Sequence, residues 1–133
     1  MTSASVFLRM MPDSRPITDA ITLPALSQFD FHSRMADFRG ATLVAFTSPG
    51  CGACRHLRLV LQELRREEPD WRVFEVDAQR EQALTNEFEV FHLPTIFLFL
   101  DGQYHCQLRA EARPGSIVSA THAALQQPAE EAP

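Results

Sequence analysis

Two cysteines stand one helical turn apart in Cys51-Gly52-Ala53-Cys54. Thiols so spaced can run disulfide exchange: one thiolate attacks a disulfide, and the second thiol displaces the product from the mixed disulfide that results. The first turn of a helix favours this chemistry, because its unpaired N–H groups carry partial positive charge and lower the pKa of a cysteine held there. The flanking residues put the pair at such a place. Leu43 to Phe46 is a continuous apolar run followed by Ser48, Pro49 and Gly50, the pattern of a strand buried on both faces and closed by a turn. Leu57, Val60, Leu61 and Leu64 then share one face of an amphipathic helix that begins near the cysteines. Cys51 is therefore expected as the nucleophile and Cys54 as the resolving thiol. Gly52 lets the backbone bend tightly, and the small Ala53 leaves the site open. Arg55 and Arg58 either add positive charge beside the thiols or form the solvated face of the helix.

A C-x-x-C pair is also half of a zinc site, or lends itself to an iron–sulfur site shared across a dimer. Zinc needs four ligands, and only Cys106 and the histidines remain to help. His32, His105 and His122 show no mutual spacing that suggests metal, so no metal is expected. Cys106 itself reads as a small buried hydrophobe rather than a redox or dimerising thiol. Colour, or metal co-purifying in half-stoichiometry, would mark the shared-site alternative.

The remaining elements must position the pair. Ile21 to Leu23 is a short strand stopped by Pro24, and Leu26, Phe29, Met35 and Phe38 form a roughly helical stripe closed by Gly40. Trp71 to Val76 is β-rich. A helix carries Leu84 and Phe88, and Thr95 to Leu100 is the strongest strand. Asp101-Gly102 is a hairpin signal, so a strand from about Gln103 to Arg109 should run antiparallel to it. A helix opening near Pro114 carries Ile117, Val118, Thr121 and Leu125. The order predicts an α/β sandwich with a mixed sheet of four to five strands and helices on both faces.

The chain has 133 residues, 45% of them hydrophobic, enough for one domain with its own core. We expect a flexible arm over 1–16, a domain over 17–126 and a flexible, solvated tail over 127–133. Met10 or Met11 is an alternative start. No run approaches the roughly 20 apolar residues of a membrane span. The formal net charge is −5 and all 12 basic residues are arginine. The absence of lysine excludes a phosphate-loop lysine and a Schiff-base lysine, and the acidic balance argues against nucleic acid as a main partner. Three cysteines do not make a secreted disulfide framework, and Arg9 interrupts the short apolar patch Val6-Phe7-Leu8, so no export signal is expected and the setting is read as cytoplasmic.

Phe46-Thr47-Ser48-Pro49-Gly50-Cys51-Gly52-Ala53-Cys54, Leu93-Pro94-Thr95 before the apolar strand, and Asp101-Gly102 at the hairpin together resemble the thioredoxin superfamily, over residues 20 to 126. The resemblance implies a thioredoxin-like fold and a cis Leu93-Pro94 bond facing the cysteines. It also implies that the backbone of Leu93 pairs with a substrate chain like an added strand, while Pro94 shapes the site. The implied activity is reduction of protein disulfides through a Cys51/Cys54 dithiol–disulfide cycle. Its expected partners are protein disulfides and an electron-donating reductase or glutathione. No cofactor is expected beyond the redox-active disulfide, no membrane partner is expected, and the chain is expected to be a monomer.

Departures from the family pattern bear on the substrate. Gly50 stands where thioredoxins usually carry tryptophan and Ala53 where they carry proline, which removes an aromatic anchor from the docking surface. The family's buried aspartate aligns with Ala45 and its lysine partner with Val73. That pair helps manage the proton of the resolving thiol, and its replacement candidates here are Glu75, on the same strand face as Val73, and His56, two residues after Cys54. Solvent is the competing acceptor. Thr47 lies one residue too far from Cys51 for the peroxidase relatives' threonine. His92 reads as a surface residue or a rim of the site, and Trp71 as packing. The alternative function is a binding or assembly module that holds one dedicated client, with weak or accessory redox activity.

Overall fold

The computed structural model describes residues 22–133; the expected arm over 1–16, the alternative starts, Ile21 and the domain's expected first residues lie outside that span. In chain order the elements are α1 (Phe31–Met35), β1 (Ala41–Thr47), α2 (Gly52–Glu67), β2 (Arg72–Asp77), α3 (Gln82–Glu87), β3 (Thr95–Leu100), β4 (Gln103–Leu108) and α4 (Pro114–Leu125). The four strands form one sheet in the order β2-β1-β3-β4. β1 runs parallel to β2 and antiparallel to β3, which in turn pairs antiparallel with β4. The mixed sheet flanked by helices on both faces is the thioredoxin-like architecture.

Strand alternation sorts the core into two halves of different chemistry. Leu43 and Ala45 of β1, Val73 of β2 and Leu98 of β3 face Leu57, Leu61 and Leu64 of α2 and Ile117 of α4, an aliphatic layer. The opposite face is aromatic: Phe46, Phe74, Phe97 and Phe99 pack against Phe31, Leu84 and Phe88. Phe31 meets Phe88 and Phe99 edge-on at 5.4 and 5.6 Å between centroids, the geometry that ring quadrupoles favour. β1 is buried along its whole length, as its apolar run requires. The hairpin between β3 and β4 turns through Asp101 and Gly102, both at positive φ (52° and 79°), as a tight two-residue turn demands.

Two expectations at the start of the domain are corrected. No regular strand forms at Leu23. The chain makes a single parallel bridge from Ala25 to Glu75 instead, with Glu75 N donating to Pro24 O at 2.9 Å and Leu26 N to Glu75 O at 3.0 Å. Pro24, with no N–H, cannot extend a ladder. The stripe from Leu26 to Phe38 is likewise not one helix. Ser27 and Asp30 exchange hydrogen bonds, Ser27 N to Asp30 Oδ1 at 2.8 Å and Asp30 N to Ser27 Oγ at 3.2 Å, which makes a capped turn before a helix of five residues. Phe29 on that turn is 87% exposed. Gly40 does not cap this helix, whose C-cap is Ala36; it opens β1 at φ 76°, bound to Asp101 through both backbone groups. Residues 127–133 are exposed throughout, with Glu130 N donating to His105 O on β4 at 2.7 Å.

Candidate active site

β1 carries the chain into the turn Ser48-Pro49-Gly50, and α2 begins at Gly52 with Cys51 as its N-cap. The capping atom is sulfur. Cys54 N donates to Cys51 Sγ at 3.1 Å, the contact a serine or aspartate oxygen makes at an ordinary N-cap. Cys51 is half-buried, whereas Cys54 is fully buried. The two thiols therefore differ in proton affinity. The Cys54 thiol donating to it holds Cys51 below the ordinary thiol value of 9.0, against opposition from burial and with help from the N–H groups of Cys54 and Ala53 and the Arg58 guanidinium. Burial pushes Cys54 up to about 11, and its hydrogen bond and charge interaction with Cys51 push the same way. The Ser48 backbone and the charge of Arg58 act against that rise. The result is one thiol made more acidic than usual and one guarded thiol.

On the sheet, Ala45 pairs in register with Glu75, and Leu43 with Val73. Glu75 does lie on the α2 side, and its partners are specific. Its Oε2 accepts from Arg58 Nε at 2.5 Å and from the Thr47 hydroxyl. Arg58 Nη2 also donates to Thr47 Oγ1 at 3.3 Å and to Ser48 O at 3.4 Å. Arg55, one helical turn from Cys51, is exposed. The two arginines that the sequence leaves equivalent are thus separated by the fold. Arg58 is legible only as a helix position, since its pairing depends on which strand lies under α2. His56 is exposed and its Nε2 pairs with Ala112 O at 3.0 Å.

The other wall of the site is the segment before β3. The Leu93–Pro94 bond is cis. Leu93 faces Gly50, Ser48, Ala78 and Gln79 across an open groove of about 470 Å³. That groove adjoins Cys51 through Gly50 and is not itself lined by either thiol; the more voluminous cleft, about 780 Å³ at the start of α4, includes neither the thiols nor the turn before them. Beside Leu93, Phe91 is 83% exposed, an apolar surface group that nothing in the periodicity marks. Gly52 and Ala53 are exposed at the mouth of the pair. His92 is exposed, and Trp71 packs against the aliphatic layer and edge-on to His122. Cys106 is buried in the same layer, and burial raises its pKa. Among the described residues no group of three or more His, Cys, Asp or Glu side chains is arranged to hold a metal ion, and no helix is long and apolar enough to cross a membrane.

The chain matches the family model of thioredoxin over residues 22–123. It is 30% identical over 61 residues to the thioredoxin of Mycoplasmoides gallisepticum, a match covering 46% of this chain and 61% of that protein. It is 32% identical over 78 residues to the thioredoxin of Chlamydia trachomatis, covering 59% of this chain and 74% of the relative. Among solved structures, the thioredoxin of Trypanosoma brucei brucei superposes with a TM-score of 0.67 at 18% identity, over 80% of this chain and 93% of the other.

Proposed function

The chain belongs to the thioredoxin family, and from that premise we propose that it is a thiol-disulfide oxidoreductase that reduces protein disulfides. The observation that carries this is the inequality of the two thiols: Cys51 caps α2 with a lowered pKa, and buried Cys54 one turn on holds its proton to about 11. In the first step the Cys51 thiolate attacks one sulfur of a substrate disulfide. A Cys51–substrate disulfide forms, the substrate S–S bond breaks, and the departing sulfur leaves as a thiolate that takes a proton from water. In the second step Cys54 gives up its proton and its sulfur attacks Cys51 Sγ. The Cys51–Cys54 disulfide closes and the second substrate thiolate leaves. Two electrons and two protons pass from the dithiol to the substrate. An electron-donating reductase or glutathione then restores the dithiol, and no cofactor besides the Cys51–Cys54 disulfide takes part.

The first step also prepares the second. While Cys51 is a thiolate it raises the pKa of Cys54 through both a hydrogen bond and its charge. Once its sulfur is bound in the mixed disulfide that charge is gone, and Cys54 ionises more readily when its thiolate is needed. The substrate lies in the groove between Gly50 and Leu93, with its backbone along Leu93, while Pro94, which lines the neighbouring groove beside Leu57, shapes the segment that carries Leu93. Such a reductant suits a cytoplasmic setting.

Replacing Cys54 with serine tests the cycle. It should trap mixed disulfides between Cys51 and client proteins that a reductant releases, and a folded variant that traps none overturns the proposal. Gly50 in the groove, without an aromatic anchor, favours a second reading: a module dedicated to one client, with slow turnover. Client binding that survives Cys51→Ser, beside weak reduction of unrelated protein disulfides, would select it.

A further inference from the structure

Arg58 lies one helical turn beyond Cys54, with its side chain 21% exposed and that of its partner Glu75 15% exposed. Holding two charges this far out of water is unfavourable unless their remaining hydrogen-bonding groups are satisfied. Here they are. Glu75 Oε2 accepts from both Arg58 and the Thr47 hydroxyl, and Arg58 reaches Thr47 Oγ1 and Ser48 O with its second nitrogen. Ser48 O accepts, in turn, from Cys51 N at 3.3 Å. One carbonyl thus joins the guanidinium to the backbone of the nucleophile. The network draws on the end of β1, the middle of β2 and the first half of α2, so the guanidinium is held from three elements.

We propose that Arg58 is the fixed positive charge of the redox centre, and that Glu75 and Thr47 are positioning residues which hold it rather than acceptors of the resolving thiol's proton. This rests on the disulfide-exchange reading above. Glu75 Oε2 already accepts two hydrogen bonds, one of them from a cation. Arg58 favours the thiolate form of both Cys51 and Cys54. In the mixed disulfide, where the charge of Cys51 is gone, Arg58 and the Ser48 backbone are what remains to oppose the burial of Cys54. The other ionisable groups on the surrounding elements are otherwise placed. Arg55 is exposed, His56 pairs with Ala112 O, His92 is exposed, and Asp77 accepts from the backbone of Gln79 and Arg80.

The test is the pH dependence of Cys51 alkylation by iodoacetamide in the reduced full chain, with the rate of product release from a preformed Cys51 mixed disulfide measured alongside. Arg58→Gln should raise the alkylation midpoint by about half a unit, roughly a threefold loss of thiolate below it, and slow release by a similar factor. Arg58→Lys should restore most of both. Glu75→Gln keeps an oxygen that accepts from Arg58 and removes only a negative charge, so the midpoint should not rise and the release rate should not fall. Should the single variants not fold, Arg58→Leu/Glu75→Leu replaces the pair with apolar bulk and should still raise the midpoint. An unchanged midpoint in folded Arg58→Gln or in the double variant overturns the assignment. So does a loss of release rate in Glu75→Gln alone, which would make Glu75 the proton acceptor. If Cys54→Ser traps no client while Arg58→Gln shifts the midpoint, the proposed reaction fails and the charge assignment stands.

Discussion

Removing the nucleophile should make the guarded thiol more acidic. Cys54 stands at about 11 against an ordinary 9.0, and the causes in order are burial, the hydrogen bond with Cys51 and, further down, the charge of Cys51. Cys51→Ala deletes the second and the last of these and leaves the first. Burial remains, opposed by the Ser48 backbone and Arg58, so the pKa of Cys54 should fall from about 11 toward the ordinary value, each unit of fall being a tenfold gain in thiolate below the midpoint. Ultraviolet absorbance of the thiolate follows the titration in the parent dithiol protein. Alkylation of Cys54, read peptide by peptide, follows it in the variant and separates it from Cys106. A midpoint that stays at about 11 or rises in folded Cys51→Ala would refute the idea that Cys51 guards its partner. It would also remove the reason for expecting mixed-disulfide formation to prime the second step.

Stability of the reduced protein should decline between pH 9 and 11. There the unfolded chain releases the Cys54 proton while the folded chain retains it, so the native state binds more protons. Thermal unfolding across that range should show the decline, and Cys54→Ser should lessen it, leaving the part due to the buried Cys106 thiol and the half-buried Tyr104 phenol, whose pKa values burial also raises. Gly102→Ala should cost more than about 2 kcal/mol in urea unfolding, since Gly102 sits at φ 79° and an added Cβ would lie 2.4 Å from Met35 O. Gly50→Trp meets nothing within 4 Å of an added Cβ and needs no unusual φ. It should leave stability within about 0.5 kcal/mol. By returning an aromatic anchor to the groove, it should raise kcat/KM several-fold on a protein disulfide and not on a small-molecule disulfide.

The parts of the fold that rest on local chemistry were open to reading. β3 spans Thr95–Leu100 as its apolar run suggests, Asp101-Gly102 makes the hairpin, and the stripe from Leu57 to Leu64 builds α2. The segment before β1 was not, because its apolar spacing fits a helix while the Ser27–Asp30 exchange breaks the chain into a turn. Side-chain bonds of this kind compete with helix and leave periodicity unchanged. The cysteine pair could be read because strand, turn and helix adjoin in sequence. What surrounds it could not: the bonds from Glu75 to Arg58 and Thr47 span 17 and 28 residues, and only the order of strands decides that β2 lies where Arg58 can reach it. His105 shows the same limit. It is buried with Nε2 on Ala124 O at 2.7 Å, a contact set by how α4 crosses β4.

The absence of lysine takes on a mechanistic sense in this setting. A buried lysine can shed its proton when its surroundings are apolar, so an acid–lysine pair near a thiol can pass a proton as well as carry charge. Arginine holds its proton at any pH the protein meets. A centre whose half-buried cation is Arg58 therefore keeps the same charge through every step, and Arg58 takes no part in carrying away the proton of Cys54. The fork of the guanidinium also explains why three acceptors are gathered around it, Glu75 from β2 and the adjacent Thr47 and Ser48 from the end of β1. A lysine would offer charge at one point and no such fixed geometry. With Ala45 and Val73 in the aliphatic layer, the electrostatics of the site move from the middle of the sheet to its rim, where α2 begins.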